Sequence, residues 1–471
     1  MIIRFTMNSE NKIFNRENHK LFLNRIINGA FSKRSPLNSQ INSIYIHGVY
    51  WVLCCLKLLK YRIHDEFPNI QIIKDILNRC ESIYIFNSTI LMGYSLNPFG
   101  SLGPTILSTL SGIKIKILLE NKISQDEKSK IMNFIQSNLK LRNSNEAFFS
   151  NSNSQNNDID IRFIYSALSS IYLLNMDGVN SVKENIPVPK ILNTLKNLQN
   201  IDGGFGRRPK DESHAGYTFC AMASIALLQK FDRSIDISVI NHDRLERWLL
   251  KRIIVPEDHE MIGESLCFNG RIGKRCDVCY SWWVIASIKI IESTFTGYNS
   301  IFSNKDDDTL IKIIFGIISH QNRDGGFQKM PFKTGNIDKT ADPLHTFLSI
   351  SASSILIKYL ISRGGQKVLM FLESVGFLDS ISEVDPITVL PIESGFIWKV
   401  VSISEFKWLG GDLETLYYNC PCGDIFWVKL SDLECATKNN EFEQFVILEC
   451  ESCSLKIKVK FCKESIQNLI K

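Results

Sequence analysis

Residues Asn269 to Ser281 read NGRIGKRCDVCYS and set an arginine, a lysine, a carboxylate, a thiol and a phenol within one short stretch. Asp277 and Cys279 are acceptable zinc ligands, and Arg271, Lys274 and Tyr280 beside them can hold the oxygens of a diphosphate. Such a stretch can anchor an activated leaving group and also make a nucleophile, which is the outline of a metal-assisted transferase. Residues two apart on a helix do not share a face, so Asp277 and Cys279 must straddle a turn or the start of a helix that runs on from Tyr280. A third ligand is then expected from another part of the chain, and His345 in ADPLHT stands at the start of an equivalent helix. Asp277, Cys279 and His345 make three ligands and leave the fourth tetrahedral position open, as catalytic zinc does. If the substrate is a cysteine, its sulfur fills that position as a thiolate, nucleophilic at neutral pH.

His214, Arg271, Lys274 and Tyr280 supply donors for diphosphate oxygens, Arg271 through its planar fork and Lys274 as a point charge. Their work would be to stabilise charge that develops on the departing group. Singly, each has a plainer reading: Lys274 and Arg275 as a solvated turn, His214 as a helix cap, Cys279 as a buried thiol. Spacing is what joins them. A second metal candidate lies near the end of the chain, where CPC (Cys420, Cys422) and CESC (Cys450, Cys453) give four thiolates from two turns. Four sulfurs close a tetrahedral shell, so the expectation there is structural zinc, or iron in a rubredoxin-like case. The plainer alternative is four unrelated cysteines.

These residues need elements to position them. Helical periodicity marks Val49 to Leu59, Ile106 to Leu119, Arg162 to Leu174, Tyr217 to Leu228, Tyr280 to Ile291 and His345 to Leu360. Most are apolar on more than one face, as expected of helices buried between neighbours. Two Gly-rich turns are near copies, LQNIDGGF at Leu198 to Phe205 and HQNRDGGF at His320 to Phe327, and each precedes a loop and a buried helix. Asn143 to Phe149 and Glu264 to Gly270 keep the position of this repeat but lose its consensus. A closed ring of helix pairs, with inner helix ends surrounding a cavity, is the economical arrangement. From about Gly395 strand-like segments take over, at Ile397 to Val401, Ile425 to Val428, Phe445 to Leu448 and Leu455 to Val459. The expected fold is mainly α: an α/α toroid, or barrel of helical hairpins, over residues 1–392, then a small β-rich zinc-ribbon-like domain over 395–471. Asp385 to Glu393, with two prolines, reads as the extended boundary.

The chain has 471 residues, 44% of them hydrophobic, enough for a large core and two domains. A net charge of +5, with 54 basic residues scattered among 49 acidic ones, does not imply nucleic-acid binding. Met1 to Thr6 is too short an apolar start for a signal peptide, and no run of eighteen apolar residues is present. The expectation is a cytoplasmic protein that does not span a membrane. Its 13 cysteines then read as reduced thiols and metal ligands rather than a disulfide framework.

The motifs ESHAGYTFCA at Glu212 to Ala221, GRIGKRCDVCYSWWV at Gly270 to Val284 and DPLHT at Asp342 to Thr346, with the DGGF repeats, resemble the β subunit of protein prenyltransferases over roughly Tyr45 to Pro391. The resemblance implies zinc at Asp277, Cys279 and His345, diphosphate contacts from His214, Arg271, Lys274 and Tyr280, and catalytic roles for Tyr280 and Lys274 beside the ligands. It puts Arg162 near an isoprenoid and peptide channel; the structural alternative is an ion pair with Asp158 or Asp160. Within the family, DGGFGRRPKDESHAG, DVCYSWWVIASIKII and EVDPITVLP are most similar to the Rab geranylgeranyltransferase (type II) β subunit. His47 and Ile106 stand near positions that the farnesyl enzymes fill with Trp and Tyr, which favours a twenty-carbon chain. Phe396 to Phe461 resembles the DPH-type (CSL) zinc finger of diphthamide-biosynthesis proteins, at CPCGD, SDLE and CESCSLKIKV.

The resemblance implies a catalytic subunit that moves geranylgeranyl from its diphosphate to C-terminal cysteines of Rab-type small GTPases, with an α subunit and a Rab escort protein as partners. Tyr217-Thr218-Phe219-Cys220 keeps a type I geranylgeranyl or a farnesyl β subunit as an alternative. A terpene cyclase shares the ring of helices but needs a DxDD acid motif that this sequence lacks. A further alternative makes the protein a metal or electron carrier of the diphthamide pathway, with the helices an inactive scaffold.

Overall fold

The apolar runs become the inner helices of a ring. In chain order the first part of the molecule holds α1 (Arg16–Phe31), α2 (Tyr45–Leu58), α3 (Ile70–Cys80), a hairpin of β1 (Glu81–Phe86) and β2 (Thr89–Tyr94), α4 (Ile106–Leu118), α5 (Gln125–Ser137), α6 (Ile161–Leu174), α7 (Val188–Leu198), α8 (Ala215–Phe231), α9 (His242–Leu250), α10 (Cys279–Thr294), α11 (Asp307–Ile318), α12 (Pro343–Arg363) and α13 (Gln366–Ser374). The computed structural model describes residues 14–31, 45–66, 70–98, 103–152, 159–175, 186–256, 265–295, 297–298, 300–330, 340–363, 366–377, 380–392, 397–410, 414–419, 425–437, 444–449 and 456–470. The chain divides into two compact units, the first closing at Pro391 and the second opening at Ile392.

In the first unit α2 packs on α4, α4 on α6, α6 on α8, α8 on α10, α10 on α12, and α12 returns to α2. The odd-numbered helices form the outside: α1 and α3 against α2, α5 against α6, α7 against α8, α9 against α10, α11 and α13 against α12. All six inner helices coincide with the periodic segments of the sequence. The outer helices and the β1–β2 hairpin, which backs α4 and α5, were not legible that way, because half of each faces solvent and dilutes the apolar pattern. Pro343–Ser362 of α12 is long and apolar enough to cross a membrane by composition, with mean hydropathy 1.4, and is 72% buried as an inner helix of the ring.

Four of the six inner helices, α4, α8, α10 and α12, start in a common register set by a buried aromatic residue. Phe205 donates its backbone N–H to Thr218 Oγ1 at 3.1 Å and accepts at its carbonyl from His214 N at 3.0 Å. Phe327 repeats this with Thr346 (2.9 Å) and Asp342 (3.2 Å), and Tyr94 with Thr109 (3.0 Å) and Thr105 (3.1 Å). Phe268 accepts from Asp277 N at 2.9 Å in the degenerate repeat. The backbone of a buried plug must find partners, and it finds them at the first turn of the next inner helix. His214, Asp277 and Asp342 are thereby equivalent, and so are Tyr217, Tyr280 and His345 three residues on.

The paired glycines have a packing reason. Gly203 and Gly325 take φ of +100° and +90°, and a Cβ there would lie 2.4 Å from the Arg244 backbone and 2.1 Å from the Asn18 carbonyl oxygen. Only glycine allows that turn and that approach.

The expected extended boundary is a tight turn, with Asp385 N bonded to Leu390 O, and it is tied to the ring. Tyr50 Oη donates to Val389 O at 2.5 Å and Tyr165 Oη to Ile387 O at 2.9 Å.

The second unit carries two three-stranded sheets. β3 (Ile397–Ser402) is the parallel neighbour of β8 (Lys456–Phe461), which pairs antiparallel with β7 (Gln444–Glu449); β4 (Lys407–Trp408), β5 (Thr415–Asn419) and β6 (Ile425–Lys429) form an antiparallel meander. α14 (Leu430–Thr437) and α15 (Lys463–Ile470) complete it. Val401, Phe406, Leu416, Phe426, Ile457, Val459 and Phe461 make its core. Cys420, Cys422, Cys450 and Cys453 lie outside the described residues; in sequence they fall in the β5–β6 and β7–β8 connections.

Candidate metal centre and anion site

Asp277, Cys279 and His345 come together: one ligand atom from each lies within 4.8 Å of the other two, the one such cluster among the described residues. Val278 caps α10 and Cys279 opens it, so Asp277 and Cys279 do straddle a helix start, and the Asp277 carboxylate accepts from Cys279 N at 3.0 Å. His345 sits on the adjacent helix α12. Its Nδ1–H donates to Asp342 Oδ2 at 2.5 Å, which turns Nε2 toward Asp277 Oδ1 at 3.3 Å. A carboxylate behind the imidazole fixes tautomer and ring orientation, a common arrangement behind metal-bound histidines. In the sequence Asp342 is simply part of DPLHT; its place three residues before His345 at a helix start is the signal of this role.

The electrostatics of the cluster suit a cation. Burial, then the Asp277 charge, pushes the Cys279 thiol well up. Burial acts against ionising Asp277, but hydrogen bonds from His345 and Cys279 outweigh it and hold the carboxyl below its usual range. Burial also disfavours His345 as a cation, yet the Asp277 and Asp342 carboxylates overcome it and push the imidazole up to about 9. A proton on His345 thus supplies the positive charge that two carboxylates demand. A divalent ion would supply it instead and let the thiol ionise. The carboxylate, thiolate and imidazole donor set is one that zinc accepts.

Next to the cluster is a relay of donors. His214 caps α8, its Nδ1 accepting from Gly216 N at 3.2 Å, so a neutral ring carries its proton on Nε2 and donates to Tyr280 Oη at 3.2 Å. Burial, then the nearby Arg271 charge, lowers the His214 pKa and favours that neutral form. Tyr280's own O–H is then left to donate onward. Gly270 makes room for it, since a Cβ there would fall 2.2 Å from the Tyr280 ring. The helix-cap reading of His214 holds through Nδ1, while Nε2 is engaged by Tyr280 Oη.

Arg271 pairs with Glu212 at 2.6 Å, both ends partly exposed, so the guanidinium can exchange that carboxylate for another anion. Lys274 is exposed on the same loop, its carbonyl accepting from Asn269 Nδ2 at 3.1 Å. Arg162 is held by Asp160 through two bonds of 2.9 and 2.6 Å, which is the structural alternative of the sequence reading; it also lies 5.9 Å from the Tyr217 ring centre. His47 bonds Ser111 Oγ at 2.7 Å and Ile106 is buried. Phe163, Tyr217 and Trp283, near the starts of α6, α8 and α10, are partly exposed, with the Tyr217 ring 5.0 Å from that of His214 and Trp283 5.1 Å from Phe219.

Residues 14–390 match the prenyltransferase alpha-alpha toroid domain, and residues 399–462 match the CSL zinc finger. The geranylgeranyl transferase type-2 subunit beta of Saccharomyces cerevisiae is 29% identical over 251 residues, 52% of this chain and 66% of that protein. Its Candida albicans namesake is 36% identical over 136 residues, covering 29% of this chain and 35% of the relative. The protein farnesyltransferase subunit beta of Schizosaccharomyces pombe is 34% identical over 211 residues, with 42% and 46% covered. The alignments thus span less than two thirds of each of these relatives. Candida albicans protein geranylgeranyltransferase-I, solved in complex with GGPP, superposes with a TM-score of 0.57 over 81% of this chain and 97% of its own, at 23% identity, which bears on the fold. A match across most of the chain, on a ring of hairpins with one register, makes this protein a member of the prenyltransferase alpha-alpha toroid family.

Proposed function

We propose that the chain is the catalytic β subunit of a protein geranylgeranyltransferase, moving geranylgeranyl from geranylgeranyl diphosphate to C-terminal cysteines of Rab-type small GTPases. The observation that carries this reading is the convergence of Asp277, Cys279 and His345. The type-2 names of the first two relatives support the Rab assignment. Zn2+ held by the three side chains would lower the pKa of a substrate thiol at its open position. Asp342 positions His345. Tyr280, oriented by His214, donates to an oxygen of the diphosphate, and Arg271 exchanges Glu212 for it while Lys274 adds charge from the loop. These donors favour the transition state, where negative charge grows on the leaving group. Phe163, Tyr217 and Trp283 flank the apolar chain.

In this reading the protein works in the cytoplasm as a heterodimer with an α subunit, and an escort protein presents the Rab substrate. It has two domains, 1–392 and 395–471, and the second holds zinc or iron through Cys420, Cys422, Cys450 and Cys453. The test offers tritiated geranylgeranyl diphosphate to the chain with α subunit, escort protein and Rab. Label should reach the Rab, disappear with Cys279→Ala and survive deletion of residues 395–471; no transfer by the intact chain would refute the proposal. A type-1 geranylgeranyl or farnesyl β subunit is the second reading, favoured by relatives of those names at 30% and 34% identity. Transfer to a short C-terminal cysteine peptide without escort protein would select it.

A further inference from the structure

Inside the ring, among the described residues, lies a buried amine that the chemistry above leaves unused. Lys114 is 3% exposed. It lies eight residues after Ile106 on α4, about 12 Å along the axis at about 1.5 Å per residue. Its Nζ is 3.4 Å from Tyr50 Oη, 4.8 Å from the Tyr50 ring centre and 6.0 Å from that of Tyr165. Tyr50 belongs to α2 and Tyr165 to α6, and Cys220 of α8 and Asp385 of the boundary turn are among its electrostatic neighbours. Four inner helices and that turn therefore meet around one amine.

The ring changes character at this level. Nearer the helix starts Leu107, Phe163, Tyr217, Tyr280 and Trp283 are partly exposed. Around Lys114, by contrast, Tyr50, Leu110, Tyr165 and Cys220 are each less than a tenth exposed. Beneath, the Tyr50 and Tyr165 hydroxyls hold the carbonyls of Val389 and Ile387. Val389 has φ +57°, a costly conformation for a β-branched residue, and its carbonyl is held by both Tyr50 Oη and Cys54 Sγ. The strained turn is thereby held against α2 and α6.

We propose that Lys114 determines the length of apolar chain the ring accepts, its amine being the surface at which the distal end of a bound isoprenoid stops. The proposal rests on the prenyl-transfer reading above. Hydrocarbon cannot replace the tyrosine contacts of an amine, so a chain pushed past Lys114 would leave a polar group buried without compensation. Methionine has a similar length and no such penalty.

The test uses the full-length chain co-expressed with a prenyltransferase α subunit. Farnesyl and geranylgeranyl diphosphate binding is followed by quenching of tryptophan fluorescence, and kcat/KM is measured for each lipid. Lys114→Met should raise the preference for the twenty-carbon over the fifteen-carbon lipid by about fivefold or more, and Lys114→Arg should lower it. A ratio unchanged within about twofold in both variants overturns the proposal, because a residue needed only for folding weakens both lipids alike. Intact protein that binds neither lipid overturns it together with the prenyl-transfer reading. A shifted binding ratio without transfer to any protein supports Lys114 in this role and sinks only the transfer reading.

Discussion

The turns at Gln199–Phe205 and Gln321–Phe327 are almost one sequence and make the same bonds, yet they deliver different chemistry. Both close an antiparallel bridge between the Gln and the Phe, and both bond Asn N to Gly O at 2.9 Å. Each hands its Phe carbonyl to the residue before the next inner helix. That residue is His214 in one and Asp342 in the other, and three positions later come Tyr217 and His345. The first repeat thus presents an imidazole at its cap that orients Tyr280, the second a metal-type ligand with a carboxylate behind it. The degenerate repeat between them contributes Asp277 and Cys279, which cluster with His345, and Tyr280, which bonds His214. A conserved geometry at helix starts leaves chemistry to a few side chains whose own contribution to folding is small.

The comparison breaks most sharply where equivalent positions are exchanged for inert ones. His345→Ala should cut transfer on the order of 10³-fold, while Tyr217→Phe, at the matching position, should cost about threefold or less. Single-turnover rates for both variants would check this, and equal losses would mean that the two repeats do not divide the work.

Asp342→Asn keeps the shape behind His345 but removes the charge, and should weaken metal binding about 10- to 100-fold. A zinc titration against a competing chelator reads it; unchanged affinity would leave Asp342 as a helix cap alone. The latch beneath both sites should be equally valuable in each repeat. Thr218→Val and Thr346→Val each strand the buried N–H of a Phe, so each should cost about 1–3 kcal/mol in a urea melt. A large difference between the two would show that the repeats are not energetically alike.

The smallest expected effect is a pH dependence confined to the metal site. His345 is pushed up from 6.5 to about 9 in the metal-free fold, so its contribution is fully present below pH about 6.5 and fades as pH rises through about 9. Thermal midpoints of chelator-treated protein should fall across that window. Loading with zinc should flatten the slope, since the ion replaces the proton.

The inner helices were readable because they are buried on most sides and therefore almost continuously apolar. The outer ones share their surface with water, and an amphipathic stretch such as Val188–Leu198 competes with every polar segment around it. Arg162 shows a different limit: its type suited a channel, but Asp160 two residues earlier holds its guanidinium in a fork. Glu212 as the partner of Arg271 and Lys114 beside Tyr50 left no local trace, because each depends on contacts between segments far apart in the chain.

What the sequence by itself determined is the donor set and its local geometry: Asp277 and Cys279 at a helix start, a histidine on the next repeat, glycines where φ is positive. Such features follow from short-range sterics and from residue chemistry, which act over a few positions of chain. The ring itself was anticipated from the repeats, but the tertiary structure alone decided which helices close it, so that α12 meets both α10 and α2. It also decided that the turn after residue 384 ends under the tyrosines of α2 and α6 rather than simply leaving the fold. Those outcomes depend on how whole helices bury their apolar faces against one another, a sum over many distant contacts that no local pattern encodes.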